Sequence, residues 1–371
     1  MRVCNPKNLQ SDFILASPIY DRNLRLLLKD GVTLDNRLIQ LIQSKKVPYV
    51  LIEDELSKGI EIRSLVSNKT QHEVTTAIRN FYDEILKKIP SSKQDLSSRA
   101  KYAITNHSIR NLPIKMLRKH MENILDEIQR IDEDYRYYSY YPYGRDFIEL
   151  NFEIMLASLF VGRYFQYSEK ELIYLGIAAL FHDVGLIFSP LYNSYVHTYS
   201  LPLDKERDHT TYGYLFLRES NHLTAMEYIP ALEHHECDDG SGFPDGKHGN
   251  PTLPNRERVE KDNEIFRFTE IISPISELIH AANAYQFSNK FNELKTSTEE
   301  RFNPFVLEAM NQVINPYPVG ASVRLESKTG SAYKEGLIVE SDAPNFLPKI
   351  KSIDNQVIPN DKMNQYDIIV I

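Results

Sequence analysis

Residues 168–185 read SEKELIYLGIAALFHDVG. Ser168 and Glu171 make an S-x-x-E capping box, the apolar run after them keeps helical character, and Gly185 marks a helix end. The spacing predicts a helix whose last turn carries His182 and Asp183. Outward from it, apolar residues between 146 and 315 recur at helical intervals with little β-like alternation, so this region is expected to be all-α.

Upstream, residues 1–65 combine short apolar stretches, Phe13-Ile14-Leu15 and Val50-Leu51-Ile52, with a helical pattern around Leu38, Ile39, Leu41 and Ile42. A small α+β unit fits. Val74, Ile78, Phe81 and Ile85 continue at helical spacing, and Pro90-Ser91-Ser92 then breaks the pattern. A second amphipathic run, Leu117, Met121, Ile124, Leu125, Ile128 and Ile131, reads as a connector helix before the acidic, tyrosine-rich stretch 132–144, which is read as a packed loop. Beyond Pro316-Tyr317-Pro318, the segments VRLES, LIVES and DIIVI read as strands. The expectation is a mainly α protein, a helical bundle with a small N-terminal α+β domain and a short C-terminal β extension. Its divisions are 1–90, a linker and connector helix over 91–145, the helical domain 146–315, and the extension 316–371.

A net charge of -8 argues against sequence-independent binding to DNA, RNA or anionic membrane, which needs a basic surface. The apolar runs 154–161 and 172–181 are too short to span a bilayer, so no membrane insertion is expected. Cys4 and Cys237 stand far apart in no metal-binding or redox spacing, which points to a reduced, cytoplasmic protein without a disulfide framework.

The chemistry-bearing residues are His182-Asp183, His209 in RDHTTYG, and His234-His235 in EHHECDDGSGFPDG. A lone histidine is usually structural, but several imidazoles with a carboxylate in one helical pocket suit a divalent ion used in phosphate-ester hydrolysis. His197, His222, His248 and His280 are read as structural or surface residues, and Cys237 as a reduced small side chain.

These segments, in this order, resemble the HD-GYP family of the HD superfamily. HD-x-G stands at His182 to Gly185, H-x-x-x-G at His209 to Gly213, and HHE-x-x-DGSGYP at His234 to Pro244, with Phe243 in place of tyrosine. The resemblance implies an HD-type helical bundle holding iron or manganese ions, two here with one as the lower count. It further implies hydrolysis of cyclic di-GMP, or a related nucleotide, to pGpG or GMP. Carried over, Asp183 would be the catalytic bridging carboxylate, His182, His209, His234 and His235 would ligate metal, and Gly242-Phe243-Pro244 would shape the substrate loop.

Several positions depart from the family pattern. Leu150 stands where a histidine is expected, with Asp146 at the preceding acid position; Leu186 replaces a lysine, and Asn283 replaces an aspartate ligand. Asp146, Glu149 and Glu153 share a helix face and are read as a solvated acidic surface in preference to substitutes for the missing ligand. Lys290 and Lys295 are the nearest matches for substrate-phosphate cations. Two readings follow: a phosphodiesterase, or a catalytically degenerate module that binds cyclic di-GMP or a partner protein without turnover. A signalling partner or homodimer is compatible with either.

Overall fold

The computed structural model describes residues 1–20, 25–45, 47, 49–62, 65–109, 112–131, 136–137, 146–192, 207–220, 222–254, 264–280, 290–294, 300–329, 333–341, 348–354 and 356–370. The chain opens with β1 (Arg2–Cys4), β2 (Ile14–Leu15), β3 (Ile19–Tyr20), β4 (Leu26–Leu28), α1 (Asn36–Ser44) and β5 (Val50–Glu53). An antiparallel sheet of order β1-β5-β2 and a β3-β4 pair enclose a small apolar cluster, to which α1 contributes Ile39 and Ile42. The Asp35 carboxylate caps α1 by accepting from the Leu38 amide at 2.7 Å.

The helical body comprises α2 (Asn68–Lys88), α3 (Leu96–Thr105), α4 (Ile114–Gln129), α5 (Phe147–Tyr164) and α6 (Glu169–Phe181), then a 3-10 turn at Val184–Phe188. It continues through α7 (His209–Arg218), α8 (Ala225–Glu233), α9 (Arg267–Ile279) and α10 (Pro304–Val313). Its core is one cluster running from Val66 to Ile314. α2 and α4 bury the residues whose spacing announced them, Val74, Ile78, Phe81 and Ile85, and Leu117, Met121, Ile124 and Ile128. By contrast, α3 has no apolar stripe of large side chains. It buries Ala100 and Ala103 and starts on an Asp95 cap, so hydrophobic periodicity does not reveal it.

α5 and α6 are apolar on nearly every side because they pack centrally, against each other and against several neighbours. The stretch Glu169–Phe188 is apolar and long enough to cross a membrane, yet 83% of its window is buried within the protein, which marks a core segment. Ser168 and Glu171 form the expected reciprocal capping box, which sets where α6 starts and therefore where its other end falls.

The C-terminal strands are β6 (Ser322–Ser327), β7 (Tyr333–Glu340), β8 (Lys349–Ser352), β9 (Val357–Ile358) and β10 (Tyr366–Val370). They form an antiparallel sheet of order β10-β6-β7-β8-β9 with its own core around Val323, Leu325, Ile338 and Ile350. This sheet also touches the N-terminal unit. The Val3 amide donates to the Gly320 carbonyl at 2.9 Å, and Lys351 Nζ donates to the Leu56 carbonyl at 3.0 Å.

Candidate metal centre

His182 is the C-cap of α6, and Asp183 opens the 3-10 turn that follows. The His182 ring donates from Nδ1 to the Ala179 carbonyl at 2.7 Å, which leaves the lone pair on Nε2. That nitrogen lies 3.4 Å from Asp183 Oδ2. His209, the first residue of α7, brings Nε2 to 3.3 Å from the other oxygen, Oδ1. His234, the C-cap of α8, donates from Nδ1 to the Pro230 carbonyl at 3.1 Å and places Nε2 3.1 Å from the same Oδ1. The Nε2 atoms of His209 and His234 are 3.2 Å apart.

Two glycines allow this convergence. A Cβ on Gly185 would lie 1.9 Å from the His209 carbonyl oxygen, and one on Gly213 would lie 3.0 Å from the Gly185 nitrogen. The expected role of Gly185 as a helix stop is therefore replaced by another: its bare backbone lets the start of α7 touch the turn beside Asp183.

His235 packs edge-on to His209, and its Nε2 is buried with no hydrogen-bond partner among the described residues. Phe243 stacks on the His235 ring at 4.5 Å between centroids and 17° between planes, while the Phe243 amide donates to the His235 carbonyl at 3.1 Å. Gly242 packs against backbone, since a Cβ there would meet Glu236 Cα and the His235 oxygen, each at 2.4 Å. Pro244 follows through a cis peptide bond. The loop is pinned by the Glu236 carboxylate, which accepts from the amides of Asp245 at 2.7 Å and Lys247 at 2.9 Å.

Burial pushes His182 down to about 4, and burial together with the charge of His234 holds His235 well below the ordinary imidazole value. Burial alone would raise the Asp183 carboxyl, but His182 and the hydrogen bonds from His209 and His234 hold it well below the usual range. Neutral His182 and His235 beside an ionised Asp183 are the states in which these groups bind metal. Nitrogen and oxygen donors of this kind, with the His182 and His234 rings held by backbone carbonyls and one buried nitrogen left over, fit a divalent metal ion.

Five expected residues thus converge: His182, Asp183, His209, His234 and His235. Asn283 and Lys295 lie outside the described residues. Lys290 sits at the start of a short helical segment with Nζ 2.5 Å from Glu277 and 2.9 Å from Glu293, so its charge is already matched. Leu150 and Leu186 are buried in the apolar core.

The acidic residues of α5 correct the expectation of a solvated face. Asp146 caps the helix and pairs with Arg79 at 2.6 Å, Glu149 completes that capping box, and Glu153 is buried where it accepts from the Tyr137 hydroxyl. The reason is position: 146 and 149 form a helix start, and 153 faces the packed side.

Sequence reasoning set aside one residue, and passed over another, that the fold brings to the centre or its loop. His280, read as structural or surface, is the C-cap of α9 and places Nε2 3.9 Å from Asp183 Oδ2. Its spacing of three from Asn283 was the available signal. Arg207 lies with its guanidinium over the Phe243 ring at 4.7 Å, a charge that only the folded loop places there.

No family model matches the chain. A cyclic di-GMP phosphodiesterase of Pseudomonas aeruginosa is 26% identical over 207 residues, covering 53% of this chain and 47% of that protein. The chain thus spans about half the length of the curated relative it matches. A solved HDG"Y"P protein from Bdellovibrio bacteriovorus gives a looser likeness, with a TM-score of 0.41 and 13% identity over 84% of this chain and 98% of that one. With its ordered signature segments gathered around one carboxylate, the chain resembles the HD-GYP family of the HD superfamily, with altered positions, and the curated relative it matches is a cyclic di-GMP phosphodiesterase.

Proposed function

We propose that this chain is a metal-dependent phosphodiesterase that hydrolyses cyclic di-GMP to pGpG or GMP in the bacterial cytoplasm. The observation that carries the reading is Asp183, a buried carboxylate whose two oxygens face different imidazole groups beside the 234–244 signature loop. The proposed functional unit is 146–315, with 1–90, 91–145 and 316–371 as accessory parts open to a protein partner or a second copy.

In this reading Asp183, His182, His209, His234 and His235 would hold iron or manganese, with Asn283 as a further ligand. Bound there, the ions would act as Lewis acids toward the phosphodiester and lower the pKa of the attacking water. The packed ends of α6, α7 and α8 keep bulk solvent from the carboxylate. Gly242, Phe243 and Pro244 would form one wall of the substrate site, where Phe243 holds the His235 ring in place and Arg207 adds a cation for a phosphate. Lys290 would have to leave Glu277 and Glu293 to reach a substrate phosphate.

A second reading, a module that binds the nucleotide or a partner without turnover, draws support from Leu186 in a lysine position and from the engaged Lys290. Manganese- or iron-loaded protein incubated with cyclic di-GMP beside Asp183→Ala separates the two. Linear product from the intact site alone supports the enzyme. Unchanged nucleotide from metal-replete protein rejects it and brings the binding module forward.

A further inference from the structure

We infer that His280 is a metal ligand, completing with His182 and Asp183 a second cation position that does not depend on the histidine missing at Leu150. The inference rests on the metal-centre reading above and concerns how that centre is built.

The two oxygens of Asp183 are divided between two sets of nitrogens. Oδ1 faces Nε2 of His209 and His234 at 3.3 and 3.1 Å, and Oδ2 faces Nε2 of His182 and His280 at 3.4 and 3.9 Å. Donor atoms of Asp183, His209, His234 and His235 lie within 4.8 Å of one another, and so do those of His182, Asp183 and His280. Each group is large enough to hold an ion, and the only shared residue is the carboxylate, which can offer one oxygen to each side.

His280 is also oriented for the task. Its Nδ1 lies 3.4 Å from Ser276 Oγ, the same hydroxyl that lies 3.3 Å from His182 Nε2. With Nδ1–H donating to Ser276, the lone pair of His280 is on Nε2, the nitrogen on the Asp183 side. His182 Nε2 carries its lone pair because Nδ1 donates to Ala179, and it is open to a cation when the Ser276 hydroxyl hydrogen points elsewhere. The His182 and His280 rings run nearly parallel, at 25° with centroids 6.3 Å apart.

On the α5 side, Leu150 offers no donor, Asp146 and Glu149 are committed to capping, and Glu153 binds the Tyr137 hydroxyl. His280 comes instead from α9, on the opposite side of the sequence from α5. Its side chain is 17% exposed, whereas that of His182 is fully buried, so the second position would open to solvent on the His280 side.

The test is metal content and not turnover. Full-length protein reconstituted with excess Mn²⁺ and desalted is analysed by elemental mass spectrometry, beside His280→Ala, His280→Gln and His209→Ala. Folding is checked by circular dichroism. About two ions in the parent chain, and about one in each folded variant, is the expected result. Two ions retained in both His280 variants would remove His280 from the centre and leave the metal reading standing. One ion in the parent, lost with His209→Ala but kept in the His280 variants, would show that the second position does not exist. No ion in the parent would overturn the metal reading and this inference together. If both His280 variants fail to fold, Mn²⁺ titration of the parent decides: two separable binding steps support the second position, and a single step rejects it.

Discussion

At the residue scale, Gly185 has the least freedom to vary. A methyl group there meets the His209 carbonyl oxygen at 1.9 Å, so Gly185→Ala must push α7 away from Asp183. We expect a loss of about 3 kcal/mol in stability from overpacking, and about tenfold or more in metal affinity from the displaced His209. Denaturant unfolding and Mn²⁺ titration read the two effects, and an unchanged variant would contradict the close approach. His182 makes a second prediction for the metal-free chain. Its folded value of about 4 lies below the unfolded value of 6.5, so between those limits the unfolded chain binds a proton that the folded one refuses. Stability should therefore fall as pH drops from 6.5 to 4, by up to about 3 kcal/mol, and His182→Asn should flatten that slope in denaturant midpoints. The metal-type residues were legible because their motif is local: each His or Asp sits next to a turn or glycine that dictates its place. His280 was not legible. Its one sequence signal was the spacing of three from Asn283, with no turn or glycine beside it, and the packing of α9 against α5 and α6 is what brings it to Asp183.

At the scale of elements, the cluster depends on where each helix stops. α8 carries His234 at its C-cap and is fixed at its other end by Glu227, a fully buried carboxylate that accepts from Thr224 and pairs with Arg118 of α4 at 3.0 Å. Arg118→Ala would leave that carboxylate short of its cation, costing about 1–3 kcal/mol with the partial exposure of Arg118 taken into account. Metal content should stay near that of the parent, because Asp183 and the imidazoles are untouched; loss of metal would mean that α8 is positioned mainly by this pair. Helices with large apolar side chains at regular spacing, such as α2 and α4, could be read from sequence, as could the α6 capping box. α3 could not, since its buried contacts are made by alanines.

At the scale of the whole molecule, the first and last segments of the chain meet. Val3 and Gly320 share a backbone hydrogen bond, and Lys351 reaches the Leu56 carbonyl. A chain ending at residue 315 should therefore keep its metal content, since the large core ends at Ile314, while amide exchange at Val3 and across β1 and β5 speeds up. Unchanged exchange would show that the N-terminal unit does not lean on the sheet. The strand-forming character of both ends was visible in short apolar stretches such as Val50-Leu51-Ile52 and in VRLES and DIIVI, but their contact was not, because Val3 and Gly320 lie more than 300 positions apart.

His182, His234 and His280 are all C-caps, so the negative ends of α6, α8 and α9 come together where Asp183 is already ionised. Before any ion arrives, three helix C-termini and the ionised carboxylate outweigh the single opposing N-terminus of α7, and the potential at that point is negative. A phosphate-bearing ligand would be repelled from it, whereas a dication would be drawn in. The consequence is an order of events: cation first, anion second, so that a nucleotide should bind measurably only to protein that already carries its metal.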